Sequence, residues 1–355
     1  MARMRRADPS GPGIERRRHG RGFTYRDEDG LRVTEPEVLL RIGELVIPPA
    51  WQDVWICPYP MGHLQAVGTD AAGRRQYLYH PEWRRRRDQA KFDEMISFAG
   101  ALPPLRERVA ADLQGETELT RERVLACAVR LLDRGFFRIG SEDYAERNES
   151  YGLATVRKEH VSLGDGFELS FDFPAKSGQR TVREVTDEVT YEIVGRLKRR
   201  RGGSPELLAY RRGGRWVDLR SPDVNAYIKE VTGADYSAKD FRTWNATMLA
   251  AVALAVSAHS AGTRTGRKGA ISRAVKEVAR YLGNTPAVAR ASYIDPRVFD
   301  AFQSGVTIAG VIGEIGLVSA PGEPPTHQRE VHEAVLDLLE ERHDSDAIEQ
   351  VPAAA

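Results

Sequence analysis

Tyr293 follows the run Leu282-Gly283-Asn284-Thr285-Pro286 and sits in Ala291-Ser292-Tyr293-Ile294, while Arg138, Lys176 and Arg242 occupy equally distinctive surroundings elsewhere in the chain. A tyrosine with two arginines, a lysine and an amide has the chemistry for a metal-free transesterification at a phosphodiester: nucleophile, fixed positive charge, proton donor and neutral hydrogen-bond donor. A free phenol ionises near pH 10, so about one in a thousand is phenolate at neutral pH unless cations stabilise it. Arg138 and Arg242 would supply that field and hold nonbridging oxygens as charge gathers on a pentacoordinate phosphorus. A departing deoxyribose oxygen needs a proton, which the ammonium of Lys176 can deliver, and Asn284 can donate to a phosphate oxygen without adding charge. Taken singly, an arginine or lysine is usually surface solvation, and any one of twelve tyrosines is more often structural than catalytic. Only the conjunction points to chemistry.

The elements that must carry these residues follow from periodicity. Thr120 caps a helix with Val124, Leu125, Ala128, Leu131 and Leu132 at helical spacing up to Gly135, and Arg138 comes just after it. Phe167, Leu169, Phe171 and Phe173 alternate as a strand, paired through Gly164-Asp165-Gly166 with residues 155–163 and followed by a third strand near 180–185. Lys176 then lies at a hairpin tip. A helix over 186–201 ends in Lys198-Arg199-Arg200-Arg201, read as a solvated helix end. Ser237 and Asp240 form a capping box that puts Arg242 in the first turns of a helix. Residues 270–282 are amphipathic and stop at Gly283, and Thr285-Pro286 and Asp295-Pro296 open two further helices with Tyr293 near the break between them.

Around this predicted catalytic domain, 89–320, three other regions stand out. Residues 1–22 hold seven arginines without apolar periodicity and read as a disordered basic arm, either brushing phosphates or merely solvated. Residues 23–88 are short apolar runs broken by turn signals, a small β-rich domain. In it Gln76-Tyr77-Leu78-Tyr79 is a strand with both tyrosines on one face beside Arg74-Arg75, which suits a nucleic-acid groove or a half-buried sheet face. Residues 321–355 hold a Pro-bounded linker, 321–325, and an acidic amphipathic helix with Val331, Val335, Leu338 and Leu339 on one side, expected to pack on its own domain rather than on a partner.

The net charge of +1 hides an asymmetry: the last 35 residues carry nine acids against two arginines, leaving +8 on the rest, enough to favour a polyanion. Two isolated cysteines, Cys57 and Cys127, give neither a disulfide framework nor a cysteine zinc site, which fits a reducing cytoplasm. There is no apolar run near membrane-spanning length, no Gly-Lys-Ser/Thr phosphate loop, no paired His/Glu metal motif and no dinucleotide fingerprint, so no membrane, metal, nucleotide or other cofactor is expected.

At these residues the chain resembles type IB DNA topoisomerases of the small bacterial and poxvirus-like branch, over roughly 23–318. Gly73-Arg74-Arg75-Gln76-Tyr77-Leu78-Tyr79 resembles the family's DNA-contacting strand. Phe137-Arg138-Ile139-Gly140 with Asn148 to Leu153 resembles the first catalytic-arginine region, and Phe171 to Gly178 the catalytic-lysine hairpin. Lys239-Asp240-Phe241-Arg242-Thr243 resembles the second arginine motif and Ser292-Tyr293-Ile294 the nucleophile motif. The resemblance implies an α+β chain: a small β-rich N-terminal domain and a larger, mainly α-helical catalytic domain with a three-stranded antiparallel sheet, together a C-shaped clamp on duplex DNA. It also implies a monomer that nicks one strand through a 3′-phosphotyrosyl link, lets it swivel and reseals it without ATP or metal. Arg74, Gln76, Tyr77, Tyr79 and Lys239 are the implied DNA contacts. Asn284 departs from the many relatives with histidine there; it keeps the hydrogen bond and loses a possible charge.

Two rivals remain at this point. Tyrosine recombinases share the arginine, lysine and tyrosine chemistry, but usually carry histidine where Lys239 stands and have no counterpart of the 74–79 strand. A non-enzymatic DNA-binding protein would not need Tyr293, Arg138, Arg242 and Lys176 all intact.

Overall fold

The structure, a computed structural model, describes residues 3–114, 118–316, 329–342 and 344–351. The chain divides into two units, Met1–Asp93 and Glu94–Ala355, and it is of the α+β class.

In the first unit the short runs pair as a five-stranded antiparallel sheet of β1 (Ile14–His19), β2 (Gly22–Arg26), β3 (Gln52–Ile56), β4 (Leu64–Thr69) and β5 (Arg75–Tyr79), in the order β2-β1-β3-β4-β5. Helix α1 (Pro36–Glu44) packs Ile42 against Ile14, Val54, Ile56 and Ala66. The expected disordered arm is therefore corrected: residues 14–19 are a strand, and Arg5 extends the order upstream through Arg5 N to Met61 O (2.9 Å) and His63 N to Arg5 O (2.8 Å). Arginines hid the alternation. Arg16 sits on the inward face beside Ile14 because its guanidinium replaces water with the carbonyls of Ile47, Pro48 and Trp51 and lies over the Phe23 ring. The β4–β5 turn is organised by Asp70, whose Oδ1 accepts from Ala72 N and Arg74 N, with Gly73 at φ +75. The division between units falls inside one helix, α2 (Pro81–Leu113), past the arginine run at 84–87, where Glu82 pairs with Arg85 and Arg86.

The second unit begins in α2 and continues with α3 (Arg121–Gly135), α4 (Glu142–Asn148), β6 (Val161–Leu163), β7 (Glu168–Ala175), β8 (Gln179–Thr186), α5 (Glu188–Arg199), β9 (Ala209–Arg212), β10 (Arg215–Asp218) and α6 (Ser221–Thr232). Then come α7 (Ala238–Ser257), α8 (Arg264–Leu282), α9 (Pro286–Ser292), α10 (Pro296–Gln303), β11 (Val306–Thr307), α11 (Ala309–Gly316), α12 (Arg329–Leu339) and β12 (Glu349–Gln350). Helix α7 is the hub. It is buried nearly all round, Trp244 and Phe241 included, and packs against α3, α6, α8, α10, α11 and α12. The antiparallel sheet β6-β7-β8 turns Leu169, Phe171 and Phe173 inward.

Three further expectations are corrected here. Phe167 is not in the strand: it holds a left-handed turn (φ +64), exposed and edge-on to Tyr191. Helix α5 starts at Glu188 under an Asp187 cap that accepts from Thr190 N. In the run 198–201, Arg200 is buried, donating to the carbonyls of Leu197, Ser204, Glu206 and Leu207. The acidic helix packs home as expected, with Val331, His332, Val335, Leu338 and Leu339 buried against α7, α10 and α11; the expected linker 321–325 lies outside the described residues. Among the described residues no helix is long and apolar enough to cross a membrane.

Candidate active site

Helix α8 must stop at Gly283, which holds φ +61, a left-handed conformation that glycine adopts without a Cβ clash. Its last carbonyls have no partner within the helix. Backbone N–H groups of Gly283 and Asn284 take those of Arg280 and Ala279, and three arginines take the next three: Tyr281 O by Arg183 Nη2, Leu282 O by Arg242 Nη2 at 2.9 Å, and the cap's Gly283 O by Arg138 Nη2 at 2.8 Å. A Cβ placed on Gly283 would lie 3.7 Å from Arg138 Nη1 and 3.9 Å from Arg183 Nη2, a measure of how closely the side chains converge. The helix terminus offers about half a negative charge against three positive ones. Among the described residues, none of the three pairs with a carboxylate, so the cluster keeps a surplus of positive charge; the three also border a cavity about the size of one water, walled mostly by apolar side chains such as Phe137, Phe173 and Leu282.

Arg242 is 5% exposed and its Nη1 also donates to Phe136 O, presented by a left-handed residue (φ +56) at the end of α3. Burial, then the charge of Arg138, pulls its guanidinium down to about 10, opposed by the Tyr293 phenol; Arg183 is brought to about 10 by burial and Arg138 as well. Both remain charged at neutral pH. The Arg242 Cζ lies 5.5 Å from the centroid of the Tyr293 ring. Tyr293 itself closes α9, and its backbone is held from beneath: the buried Thr247 hydroxyl, on α7 like Arg242, lies 3.3 Å from Tyr293 O and accepts from Asp295 N at 3.2 Å. Tyr293 and Arg242 are thus both tied to one helix.

Asn284 follows Gly283, its amide N bonded to Ala279 O. Its Oδ1 accepts from Arg138 Nη2 at 2.6 Å, while Nδ2 is buried without a partner. A buried amide nitrogen without an acceptor costs free energy that an incoming phosphate oxygen would offset. Arg138 in turn is fixed by two strands of backbone: Leu153 N donates to Arg138 O and Ala154 N to Ile139 O, both at 2.8 Å. The contact is close enough that only glycines fit, at Gly140 (φ +80) and Gly152.

The structure therefore brings Arg138, Arg242, Asn284 and Tyr293 together. Lys176 is not in that cluster; it stands exposed at the tip between β7 and β8. Lys239 is exposed in the first turn of α7, one helical turn before Arg242. In the first unit, Tyr77 and Tyr79 are exposed and stacked on the outward face of β5 (centroids 6.2 Å apart), while Leu78 faces the core, which favours the open-face reading over the half-buried one. Arg75 shares their face. Arg74 and Gln76 are tied to Asp70, whose carboxyl is held down to about 2 mainly by hydrogen bonds from Arg74. Sequence reading missed Arg183 and Thr247. An arginine between Thr181 and Val185 on the inward face of β8 was the available signal for the first; a threonine inside an apolar helix gave none for the second.

Known proteins match this chain over most of its length. The family model for the eukaryotic DNA topoisomerase I catalytic core matches residues 80–306, and that for the bacterial DNA topoisomerase IB N-terminal domain matches residues 22–70. The chain belongs to the type IB DNA topoisomerase family. It is 29% identical over 297 residues to DNA topoisomerase 1B of Acanthamoeba polyphaga mimivirus, covering 82% of this chain and 88% of that one. Similarity extends to DNA topoisomerase 1B of Vaccinia virus (strain Copenhagen), 21% over 66% of this chain and 71% of that protein, and to DNA topoisomerase 1 of Schizosaccharomyces pombe, 28% over 45% of this chain but only 19% of that longer protein.

Proposed function

We propose that this topoisomerase works through Tyr293 as a transient phosphotyrosine. The phenol oxygen attacks a backbone phosphorus, forming the Tyr293–phosphate bond at a 3′ end while the bond to the 5′ oxygen breaks; the phenol proton leaves to solvent and Lys176 gives a proton to the departing 5′ oxygen. Arg138 and Arg242 hold the nonbridging oxygens as their charge rises, and Asn284 Nδ2 donates to one of them. The cut strand rotates, relaxing positive or negative supercoils, and the 5′ hydroxyl attacks back. One phosphoester replaces another of similar energy, so no ATP is consumed. The observation that carries this reading is the convergence of Arg138, Arg242 and Asn284 on the end of α8 beside Tyr293, without a carboxylate partner for either arginine.

Duplex DNA is held mainly through phosphates, with Arg74, Gln76, Tyr77 and Tyr79 of the first unit and Lys239 of the second as contacts, so affinity falls steeply with salt. Closure as a C-shaped clamp, action as a monomer and a place in the cytoplasm on the nucleoid belong to the same proposal. Plasmid relaxation without ATP or magnesium, on a plasmid free of recombination sites, tests it against recombinase chemistry. Tyr293→Phe abolishes both relaxation and the denaturant-stable protein–DNA adduct while duplex binding persists. An adduct that survives in this variant would remove Tyr293 from the role.

A further inference from the structure

Arg183 lies outside every motif that assembled the site, yet it is built into it. On β8 it shares the inward face with Thr181 and Val185, donates Nη2 to Tyr281 O and Nη1 to Val182 O (2.7 Å), and leaves Nε buried without a partner. It lines the cavity with Arg138 and Arg242, and among the described residues no carboxylate answers its charge. Holding a largely buried cation beside two others is unfavourable in the free protein, and a methionine would reach the same space without that cost. The charge must be useful for something that arrives.

We propose that Arg183 is a further positioning residue for the phosphate: it ties the strand following the Lys176 tip to the end of α8 and supplies a third positive charge, so that an oxyanion arriving at Arg138 and Arg242 becomes the counter-charge of the whole cluster. This rests on the function proposed for Arg138, Arg242 and Tyr293. A strut alone would act through the Tyr281 contact. A phosphate-directed charge acts also through the potential felt by the anion, and the two differ measurably.

The test uses the full chain with Arg183→Met, which keeps bulk and drops charge, and Arg183→Lys, which keeps charge and drops the fork. Without DNA, thermal midpoints are compared in sodium sulfate and sodium chloride at matched ionic strength. Sulfate raises every midpoint through its general exclusion from protein surface, but it raises the wild-type midpoint further than that of Arg183→Met, and Arg183→Lys keeps most of the extra rise. With saturating duplex, single-turnover adduct formation slows at least about tenfold in Arg183→Met, about 1.4 kcal/mol of transition-state stabilisation, and less in Arg183→Lys. The proposal is overturned by a sulfate rise no larger in wild type than in Arg183→Met, by Arg183→Met retaining both the wild-type sulfate rise and the wild-type rate, or by Arg183→Met melting well below wild type with the full wild-type sulfate rise, which would leave only a strut. Should Arg183→Met not fold, Arg183→Gln takes its place with the same outcomes. If the wild type forms no adduct, the transesterification reading fails, and the sulfate comparison alone still decides whether Arg183 serves an anion site.

Discussion

Gly152→Ala adds a single methyl group where the backbone that carries Arg138 is fixed. The new Cβ would stand 2.4 Å from Gly140 N, 2.6 Å from Gly140 Cα and 2.7 Å from Arg138 O, whereas ordinary contact begins at 3.4 Å. All three neighbours are backbone, so no side chain can swing away and the segments must part by about 1 Å, a gap set by the same contact limits. That movement stretches the 2.8 Å bonds from Leu153 N to Arg138 O and from Ala154 N to Ile139 O. Overpacking of this kind costs about 1–3 kcal/mol, and a unit of this size loses roughly 2–4 °C in Tm per kcal/mol. The effect on chemistry is larger, because a reacting group displaced by about 1 Å can lose a factor of about a hundred. Single-turnover adduct formation on a duplex that cannot religate, read on denaturing gels, should therefore slow about a hundredfold at a temperature where calorimetry shows the variant fully folded, with duplex affinity little changed. A folded Gly152→Ala protein that cuts at the wild-type rate would show that the glycine contact does not set the position of Arg138.

Thr247→Val keeps the shape but removes the hydroxyl between Tyr293 O and Asp295 N; leaving that buried amide unpaired costs about 1–3 kcal/mol, seen in thermal denaturation, and adduct formation should slow about tenfold with DNA binding retained. Were the rate unchanged, Thr247 would be structural only. His332 is buried edge-on to Trp244, and burial first, then the charge of Arg106, depresses its imidazole to about 4 from an ordinary 6.5. Between those values the unfolded chain binds the proton and the folded one does not, so stability rises with pH from about 4 to 6.5 and is lost as pH falls through that window, by about 3 kcal/mol in all. Denaturant titrations from pH 7 to pH 4 should show this slope in the wild type and a shallower one in His332→Leu; equal slopes would place the acid sensitivity elsewhere.

Local chemistry made much of this protein legible in its sequence. The Thr120, Thr285 and Asp295 caps, the Gly283 stop and the alternation from Leu169 to Phe173 are decided by neighbours a few residues away, and each appears where those neighbours require it. Motif chemistry named Arg138, Lys176, Arg242, Asn284 and Tyr293 as a set, of which the structure gathers all but Lys176. Pattern reading failed where an arginine was satisfied by backbone carbonyls, far along the chain at Arg16 and in the loop just after its helix at Arg200, because a charged residue reads as solvent-facing until its partners are known. It failed for the same reason at Arg183. Only the tertiary structure decided that three arginines from separate elements would share consecutive carbonyls at one helix end, because acceptors freed where α8 stops are available to any donor the fold brings within reach, however far away in the chain.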